Sequence, residues 1–293
     1  MDDTEKNDVK GCLYIVSTPI GNREDITLRA LKVLEDVDLI AAEDTRKTGS
    51  LLAFYKINNR LASYYEHNEA ASADRLIKKL NDGLSIALVS DAGTPLISDP
   101  GYRLIKKAVA ESIKIIPIPG ASAILTALSV AGFPTDSFIF MGFLSKKKGK
   151  RLKQLNDLAS GLKTIIFYES NKRIERFLSE IIETLGDRDG VLGREMTKLH
   201  EEFIRGPVSV ILDNIQKRSF LKGECTLIIS GCTEKEMPAP GIISDEIKRR
   251  LELSDKSISK LSKEIAAQFG VSKKSIYNNA IKIKKSFENK RCL

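Results

Sequence analysis

Short apolar runs alternate with segments of helical periodicity through the first part of the chain. Each run is shorter than a typical helix and ends abruptly in glycine, proline or acidic residues, which predicts a buried strand. Strands that alternate with helices form parallel sheets covered by helices on both faces. The sequence therefore predicts an α/β fold. The predicted strands are residues 12–17, 37–42, 61–65, 86–89 and 113–118.

The loop at residues 89–101 is the most informative of the connections. Gly93 and Gly101 allow a ligand to approach the backbone closely, whereas Pro95 and Pro100 restrict the loop. Taken alone, this loop is equally consistent with an ordinary strand-to-helix turn that carries a helix cap.

The carboxyl ends of parallel strands meet at one edge of a sheet, where open α/β proteins bind their ligands. The polar residues that follow the five strands are therefore expected around one cleft. They are Pro19, Glu43, Asp44, Asn68, Glu69, residues 91–94 and Ser122. No G-x-G-x-x-G follows the first strand and the sequence has no G-x-x-x-x-G-K-[ST], which argues against the usual dinucleotide fold and against a P-loop NTPase.

The pattern changes near Ser137, where further strands and helices predict a second α/β domain. Proline and glycine at residues 238–241 indicate a linker. Beyond the linker, two amphipathic segments flank a turn at residues 270–272, which is the outline of a helix-turn-helix. A small helical hairpin packed on the body or on a second subunit is the alternative. The predicted domains are residues 11–118, 119–233 and 244–288.

Positive charge is concentrated near the C-terminus. The chain has a net charge of +8, of which residues 245–293 carry +7. Such asymmetry suggests contact with a polyanion, nucleic acid first, although a solvated helical tail has the same composition. A basic loop at residues 146–153 adds to the pattern. The residues predicted to bind RNA are Lys146, Lys147, Lys148, Lys150, Arg151, Lys273 and Lys274.

The composition also indicates the cellular compartment and whether disulfides or a metal site are expected. No apolar run approaches the roughly 18–20 residues that a membrane helix needs, and the polar N-terminus lacks a signal-peptide core. We therefore expect a cytoplasmic protein. The four cysteines lack C-x-x-C spacing and there are only two histidines, so neither disulfides nor a metal site is expected.

Seven motifs occur in order along the chain: Thr18–Asn22, Ala42–Arg46, His67–Glu69, Val89–Gly101, Pro119–Ala123, Phe167–Ser170 and Arg194–Lys198. Together they resemble the tetrapyrrole-methylase superfamily, most closely its branch of 16S rRNA cytidine 2′-O-ribose methyltransferases. The basic helical tail also looks like an extension found in that branch. One departure is Ser145, which stands where the branch usually has proline.

The resemblance implies two α/β domains of tetrapyrrole-methylase type with the active-site cleft between them, plus a helix-turn-helix-like extension. It implies S-adenosylmethionine as methyl donor, 16S rRNA of the small ribosomal subunit as substrate, and a homodimer. Carried over position by position, the cofactor-binding residues are Pro19, Ala92, Gly93, Thr94, Ile97, Ser122, Ala123, Glu169 and Met196.

A ribose hydroxyl is a poor nucleophile, so its methylation calls for a nearby base or cation. The candidates are Glu43, Asp44, Glu69, Glu195 and Lys198. Most of them could instead cap helices or form salt bridges. Two other functions stay open: a tetrapyrrole or corrinoid C-methylase, and a DNA-binding regulator that senses S-adenosylmethionine. The basic segments disfavour the first, and five polar loops at one cleft exceed what a sensor needs.

Overall fold

The structure is a computed structural model that describes residues 10–218, 223–232, 240–253, 257–269 and 273–291. The chain divides into two units. The first comprises residues up to Ala127 together with Glu195–Glu201, and the second comprises Leu128–Arg194 and the residues from Glu202 onward.

The first unit is built on a five-stranded sheet with the order β3-β2-β4-β1-β5, and every neighbouring pair is parallel. This confirms the predicted parallel α/β sheet. The strands are β1 (Cys12–Val16), β2 (Leu39–Ala42), β3 (Leu61–Ser63), β4 (Ile86–Val89) and β5 (Lys114–Ile118). The helices are α1 (Leu28–Asp36), α2 (Thr45–Phe54), α3 (Glu69–Asn81), α4 (Tyr102–Ala110) and α5 (Ala123–Ser129), of which the last two residues belong to the second unit.

Both faces of this sheet are covered by helices, and the central strand β4 shows why. Successive side chains of a strand point to opposite faces. Ile86 and Leu88 belong to a buried cluster with residues of α3 and α4, whereas Ala87 and Val89 belong to a second cluster with residues of α1 and α2. A strand buried on both faces has no polar positions, which explains the uninterrupted apolar run in the sequence.

The second unit contains a mixed sheet with the order β6-β7-β10-β8-β9, in which only the β6–β7 pair is parallel. Its strands are β6 (Phe138–Phe143), β7 (Thr164–Ser170), β8 (Asp189–Arg194), β9 (Glu202–Pro207) and β10 (Glu224–Ile229). Its first three helices are α6 (Lys148–Asn156), α7 (Ile174–Leu185) and α8 (Val208–Gln216). They pack on one face of the sheet in a single apolar cluster.

Three helices end the described chain: α9 (Pro240–Leu253), α10 (Ile258–Phe269) and α11 (Lys273–Arg291). Ile247, Leu261, Ile265 and Ile276 form their buried centre together with Ala280. The two predicted apolar faces lie on α10 and α11, but α9 was not predicted. Two positions of the predicted linker, 238 and 239, and the predicted turn at 270–272 lie outside the described residues. None of the described helices is long and apolar enough to cross a membrane.

Residues 146–153 were predicted to form a basic loop, but most of them lie in helix α6. Arg151 on this helix is buried and does not face solvent. Its guanidinium donates two hydrogen bonds, of 2.5 and 2.7 Å, to the carboxylate of Glu180, which is also buried. The prediction that Arg151 binds RNA is therefore corrected: its charge is committed to an internal ion pair.

This pair gives a stability prediction. The hydrogen bonds from Arg151 outweigh the effect of burial and lower the pKa of Glu180. The carboxylate therefore stabilises the fold fully above its ordinary pKa, and that contribution is lost as pH falls through the lowered value. Glu180→Gln would leave the charge of Arg151 buried without its partner. The substitution should therefore lower the free energy of unfolding by about 3–5 kcal/mol at neutral pH.

Urea denaturation checks this prediction, with Glu183→Gln as the control because Glu183 is exposed on the same helix. The difference between Glu180→Gln and the native chain should shrink below about pH 4.5. Equal stability of the two variants at neutral pH would contradict the assigned role of the pair.

Candidate functional site

The loops that leave β1 and β4 are joined by a short antiparallel bridge. The amide of Thr18 donates to the carbonyl of Gly93 (2.9 Å), and the amide of Gly93 donates to the carbonyl of Thr18 (3.0 Å). Gly93 has a φ of 79°, a left-handed conformation that glycine adopts without strain. Next to the bridge, the hydroxyls of Ser17 and Thr94 share a 2.9 Å hydrogen bond.

The loop that leaves β5 joins the same group. The hydroxyl of Thr94 also lies 3.3 Å from the carbonyl oxygen of Ala121, its acceptor in a second hydrogen bond. Gly120 approaches Ser17 so closely that a Cβ on Gly120 would lie 2.9 Å from the Cβ of Ser17. Three of the five strand-end loops are therefore tied together at one edge of the sheet. These loops carry seven of the nine predicted cofactor-binding residues: Pro19, Ala92, Gly93, Thr94, Ile97, Ser122 and Ala123.

Acidic and basic side chains meet beside this group. The carboxylate of Asp91 accepts a 3.0 Å hydrogen bond from the Asp44 amide and forms a 2.7 Å ion pair with Lys47. The Asp91 amide in turn donates to the carboxylate of Glu43 (3.2 Å). Burial raises the pKa of Glu43, against the opposing hydrogen bond from that amide. Glu43 is therefore the predicted candidate whose environment most favours proton transfer.

Two other predicted catalytic carboxylates are committed to helix N-termini. Asp44 is the N-cap of α2 and accepts hydrogen bonds from the Arg46 amide and guanidinium, which hold its pKa far below the usual range. Glu69 accepts hydrogen bonds from the Gly101 and Arg103 amides at the start of α4. Burial opposes ionisation of Glu69, but these bonds outweigh it and lower its pKa. Both carboxylates thus satisfy helix ends, which is the structural alternative raised for them.

The segment Glu195–Glu201 belongs to the first unit although it follows β8 in sequence. Glu195 and Thr197 have φ values of 50° and 66°, which are strained for residues with a side chain. Lys198 forms a 3.0 Å ion pair with Glu195, and Met196, between the strained residues, is buried. The segment therefore holds three predicted site residues: Glu195, Met196 and Lys198.

This segment is fastened to the loop after β1. The amide of Asn22 donates to the hydroxyl of Thr197 (2.9 Å). A Cβ on Gly21 would lie 2.5 Å from Lys198 Cγ and 2.6 Å from Thr197 Oγ1, so only glycine fits there. The sequence placed Asp91 at the cleft but gave it no role, and it did not single out Lys47 or Thr197. The role of Thr197 depends on a contact 175 residues away.

The remaining predicted residues lie in the second unit. The buried carboxylate of Glu169 accepts a 2.7 Å hydrogen bond from the Ser170 amide, and Arg173 lies 3.0 Å from its other oxygen. On α11, Lys273 is exposed with its ammonium 3.3 Å from the Ser259 hydroxyl, whereas the side chain of Lys274 lies outside the described residues. Four lysines are exposed at or near the start of α6: Lys146, Lys147, Lys148 and Lys150. Within the described ranges, no group of acidic, histidine or cysteine side chains is arranged to hold a metal ion.

Gly21 gives a direct test of the fastening. Gly21→Ala introduces a Cβ into the Thr197 and Lys198 side chains, and such overpacking costs about 1–3 kcal/mol. We expect lower stability and faster amide hydrogen exchange in residues 195–201, measured by urea denaturation and mass spectrometry. Gly49→Ala is the control, because its Cβ would make an ordinary 3.6 Å contact with Leu61. Unchanged exchange in 195–201 would show that the segment is held by other contacts.

Comparison of the sequence with known proteins shows the family of the chain. The model for Tetrapyrrole (Corrin/Porphyrin) Methylases matches residues 12–211. Among the relatives, the Ribosomal RNA small subunit methyltransferase I of Halalkalibacterium halodurans is 43% identical over 279 residues, covering 94% of this chain and 96% of the relative. The protein of the same name from Escherichia coli O157:H7 is 45% identical over 276 residues, covering 93% and 95%.

Solved structures resemble the fold. A uroporphyrin-III C-methyltransferase from Thermus thermophilus, complexed with S-adenyl homocysteine, has a TM-score of 0.53 and 16% identity, covering 74% of this chain and 97% of the other. A diphthine synthase has a TM-score of 0.57 and 14% identity, covering 76% and 91%. The matched motifs, the tied strand-end loops and these likenesses agree: the chain belongs to the tetrapyrrole methylase family, in the group of ribosomal RNA small subunit methyltransferase I.

Proposed function

We propose that this protein uses S-adenosylmethionine to methylate the ribose 2′-hydroxyl of a decoding-region cytidine in the 16S rRNA of the small ribosomal subunit. The observation that carries the proposal is the tied group of loops at the carboxyl edge of the first sheet. Open α/β sheets bind ligands at this edge. The names of relatives that are more than 40% identical over nearly the whole chain support an RNA acceptor.

The residues of the tied loops suit S-adenosylmethionine. Ala92 is exposed and Ser122 is half-buried, and both are small, so a ligand with several polar groups can approach the backbone there. Gly93 uses its amide and carbonyl in the bridge to Thr18, and its lack of a side chain lets the ligand lie close to the loop. Ile97 is 41% exposed and offers an apolar surface for an adenine ring. We propose that these residues hold the cofactor with Pro19, Thr94, Ala123 and Met196. The bound cofactor supplies a methyl group on a positively charged sulfur. Glu169 stays a predicted contributor from the second unit.

We assign proton removal to Glu43. Its half-buried carboxyl has a raised pKa, which brings its basicity closer to that needed to accept a hydroxyl proton. The Asp91 amide holds one Glu43 oxygen, and Lys47 balances the charge of Asp91. Lys198, restrained by Glu195, supplies a positive charge for the developing alkoxide. Alignment of donor and acceptor by rigid loops contributes the remaining acceleration.

The direct test uses labelled S-adenosylmethionine and small ribosomal subunits from cells that lack the gene. We expect one methyl group on the 2′-oxygen of a decoding-region cytidine, mapped by nucleotide and atom. Free 16S rRNA in a parallel reaction shows whether the assembled subunit is needed. Label on a tetrapyrrole carbon would support the C-methylase alternative instead. Binding to a DNA operator without methyl transfer would support the regulator. Light scattering of the same preparation tests the proposed homodimer.

Glu43 gives a pH prediction. The base must be ionised, so turnover should fall as pH drops through its raised pKa. Glu43→Gln should lower turnover by about 10²–10⁴-fold and abolish that acidic limb. Glu35→Gln is the control, because Glu35 is exposed on α1 of the same unit. An unchanged acidic limb in Glu43→Gln would move the base to another residue.

A further inference from the structure

An aromatic ring projects from the edge of the second sheet beside the exposed lysines. Phe143 ends the edge strand β6, and its side chain is 58% exposed. Tyr168 is its register partner on β7, and their ring centroids lie 5.6 Å apart with the planes tilted by 57°. Phe140 packs edge-on against Tyr168 at 4.9 Å. Phe143 is therefore the outermost ring of three, supported from behind.

The chain that follows Phe143 is held by hydrogen bonds from the unit's interior. Arg173 donates to the Leu144 carbonyl (3.3 Å), and the Ser145 amide donates to Gln154 (3.2 Å). The buried Arg151 donates to the carbonyls of Ser145 (2.9 Å) and Lys146 (3.0 Å) while it pairs with Glu180. The ring and the first lysines are thus attached to a rigid support, which lowers the entropy cost of binding.

The charge beside the ring is positive. Lys146, Lys147, Lys148 and Lys150 are exposed, the first turn of α6 has no acidic residue, and no ion pair joins these lysines to other parts of the described chain. A phenylalanine that is followed within a few residues by four exposed lysines is poorly suited to contact the same surface of a second copy, because the like charges would repel. An exposed aromatic ring in a positive field is the arrangement that binds single-stranded nucleic acid.

We propose that Phe143 is a stacking platform for an unpaired base of the RNA substrate, and that the four lysines bind the flanking phosphates. This inference rests on the proposed function, since it specifies how that substrate is held. A target ribose must be presented to the enzyme in an accessible, unpaired stretch, and stacking of a neighbouring base would fix the register of that stretch. Stacking is tolerant of base identity, so Phe143 contributes position and affinity but not sequence choice.

Fluorescence tests the stacking directly, because the chain has no tryptophan. Phe143→Trp places a single tryptophan at the platform, and Leu162→Trp places one at a position of the same unit that is also 58% exposed. Titration with single-stranded oligocytidine should quench the fluorescence of the Phe143→Trp variant and leave that of the control unchanged. Inorganic polyphosphate, which has charge but no bases, should bind without quenching. Unchanged emission of the Phe143→Trp variant with oligocytidine bound would overturn the proposal.

Affinity measurements separate stacking from charge. Phe143→Ala should weaken oligocytidine binding about 5- to 150-fold, the range for loss of one stacked base, without changing the salt dependence. Phe143→Tyr should retain affinity. Lys150→Ala should flatten the slope of log affinity against log salt by about 0.7 for one lost phosphate contact on a single strand. Native affinity in Phe143→Ala would refute the platform.

Two further outcomes also decide against the proposal. If Phe143→Ala changes only the concentration dependence of light scattering, the ring is a contact between copies. If native protein methylates subunits and Phe143→Ala does so with unchanged KM, the platform fails while the proposed function stands. Failure of the proposed function is separate, since it is seen as absence of methyl transfer by the native chain. Thermal unfolding of each variant confirms that it folds.

Discussion

Two backbone hydrogen bonds between Thr18 and Gly93 hold the candidate site together. They extend the contact between β1 and β4 beyond the end of the parallel sheet and reverse its direction. Gly93 has a left-handed backbone at this point. The bridge also brings Ser17 against Thr94, and Thr94 in turn reaches the carbonyl of Ala121 after β5. Loops that are distant in sequence thereby form one surface on a rigid base, which is what precise placement of a donor molecule requires.

The carboxylates near this surface divide into two kinds. Asp44 and Glu69 hold the N-termini of α2 and α4, so they fix the helices that follow the loops. Glu43 is half-buried with a raised pKa, and it is the carboxylate to which we assign proton removal. In the second unit, the basic side chains near the start of α6 also divide into a buried structural one and several exposed ones. Arg151 is used inside to support the chain, which leaves the lysines beside it free to meet solvent.

Sequence reasoning predicted the first sheet well because its signal is local. The inner strands β2 and β4 are buried at every position and therefore read as uninterrupted apolar runs between polar loops. The mixed direction of the second sheet was not predicted, since strand direction depends on how distant segments pair. The role of Arg151 was missed for a similar reason. It stands among lysines in the sequence, and only its position on the inner side of α6 separates it from them.

The sequence predicted that the strand-end loops meet at one edge of the first sheet, and the structure shows this for three of them. The sequence could not distinguish a capping carboxylate from a candidate catalytic one. That distinction depends on which backbone amides lie within reach, as Glu69 shows with the amides of Gly101 and Arg103. The fastening of Gly21 to Thr197 and Lys198 was likewise invisible, because both partners lie more than 170 residues away along the chain.

The proposed methyl transfer depends on binding of S-adenosylmethionine by the tied loops of the first unit. A crystal structure of the chain with S-adenosylhomocysteine would show where the cofactor binds. We expect the ligand against Gly93, Ile97 and Ser122, with the Thr18–Gly93 bridge intact. A ligand bound elsewhere, with these loops empty, would refute this binding site.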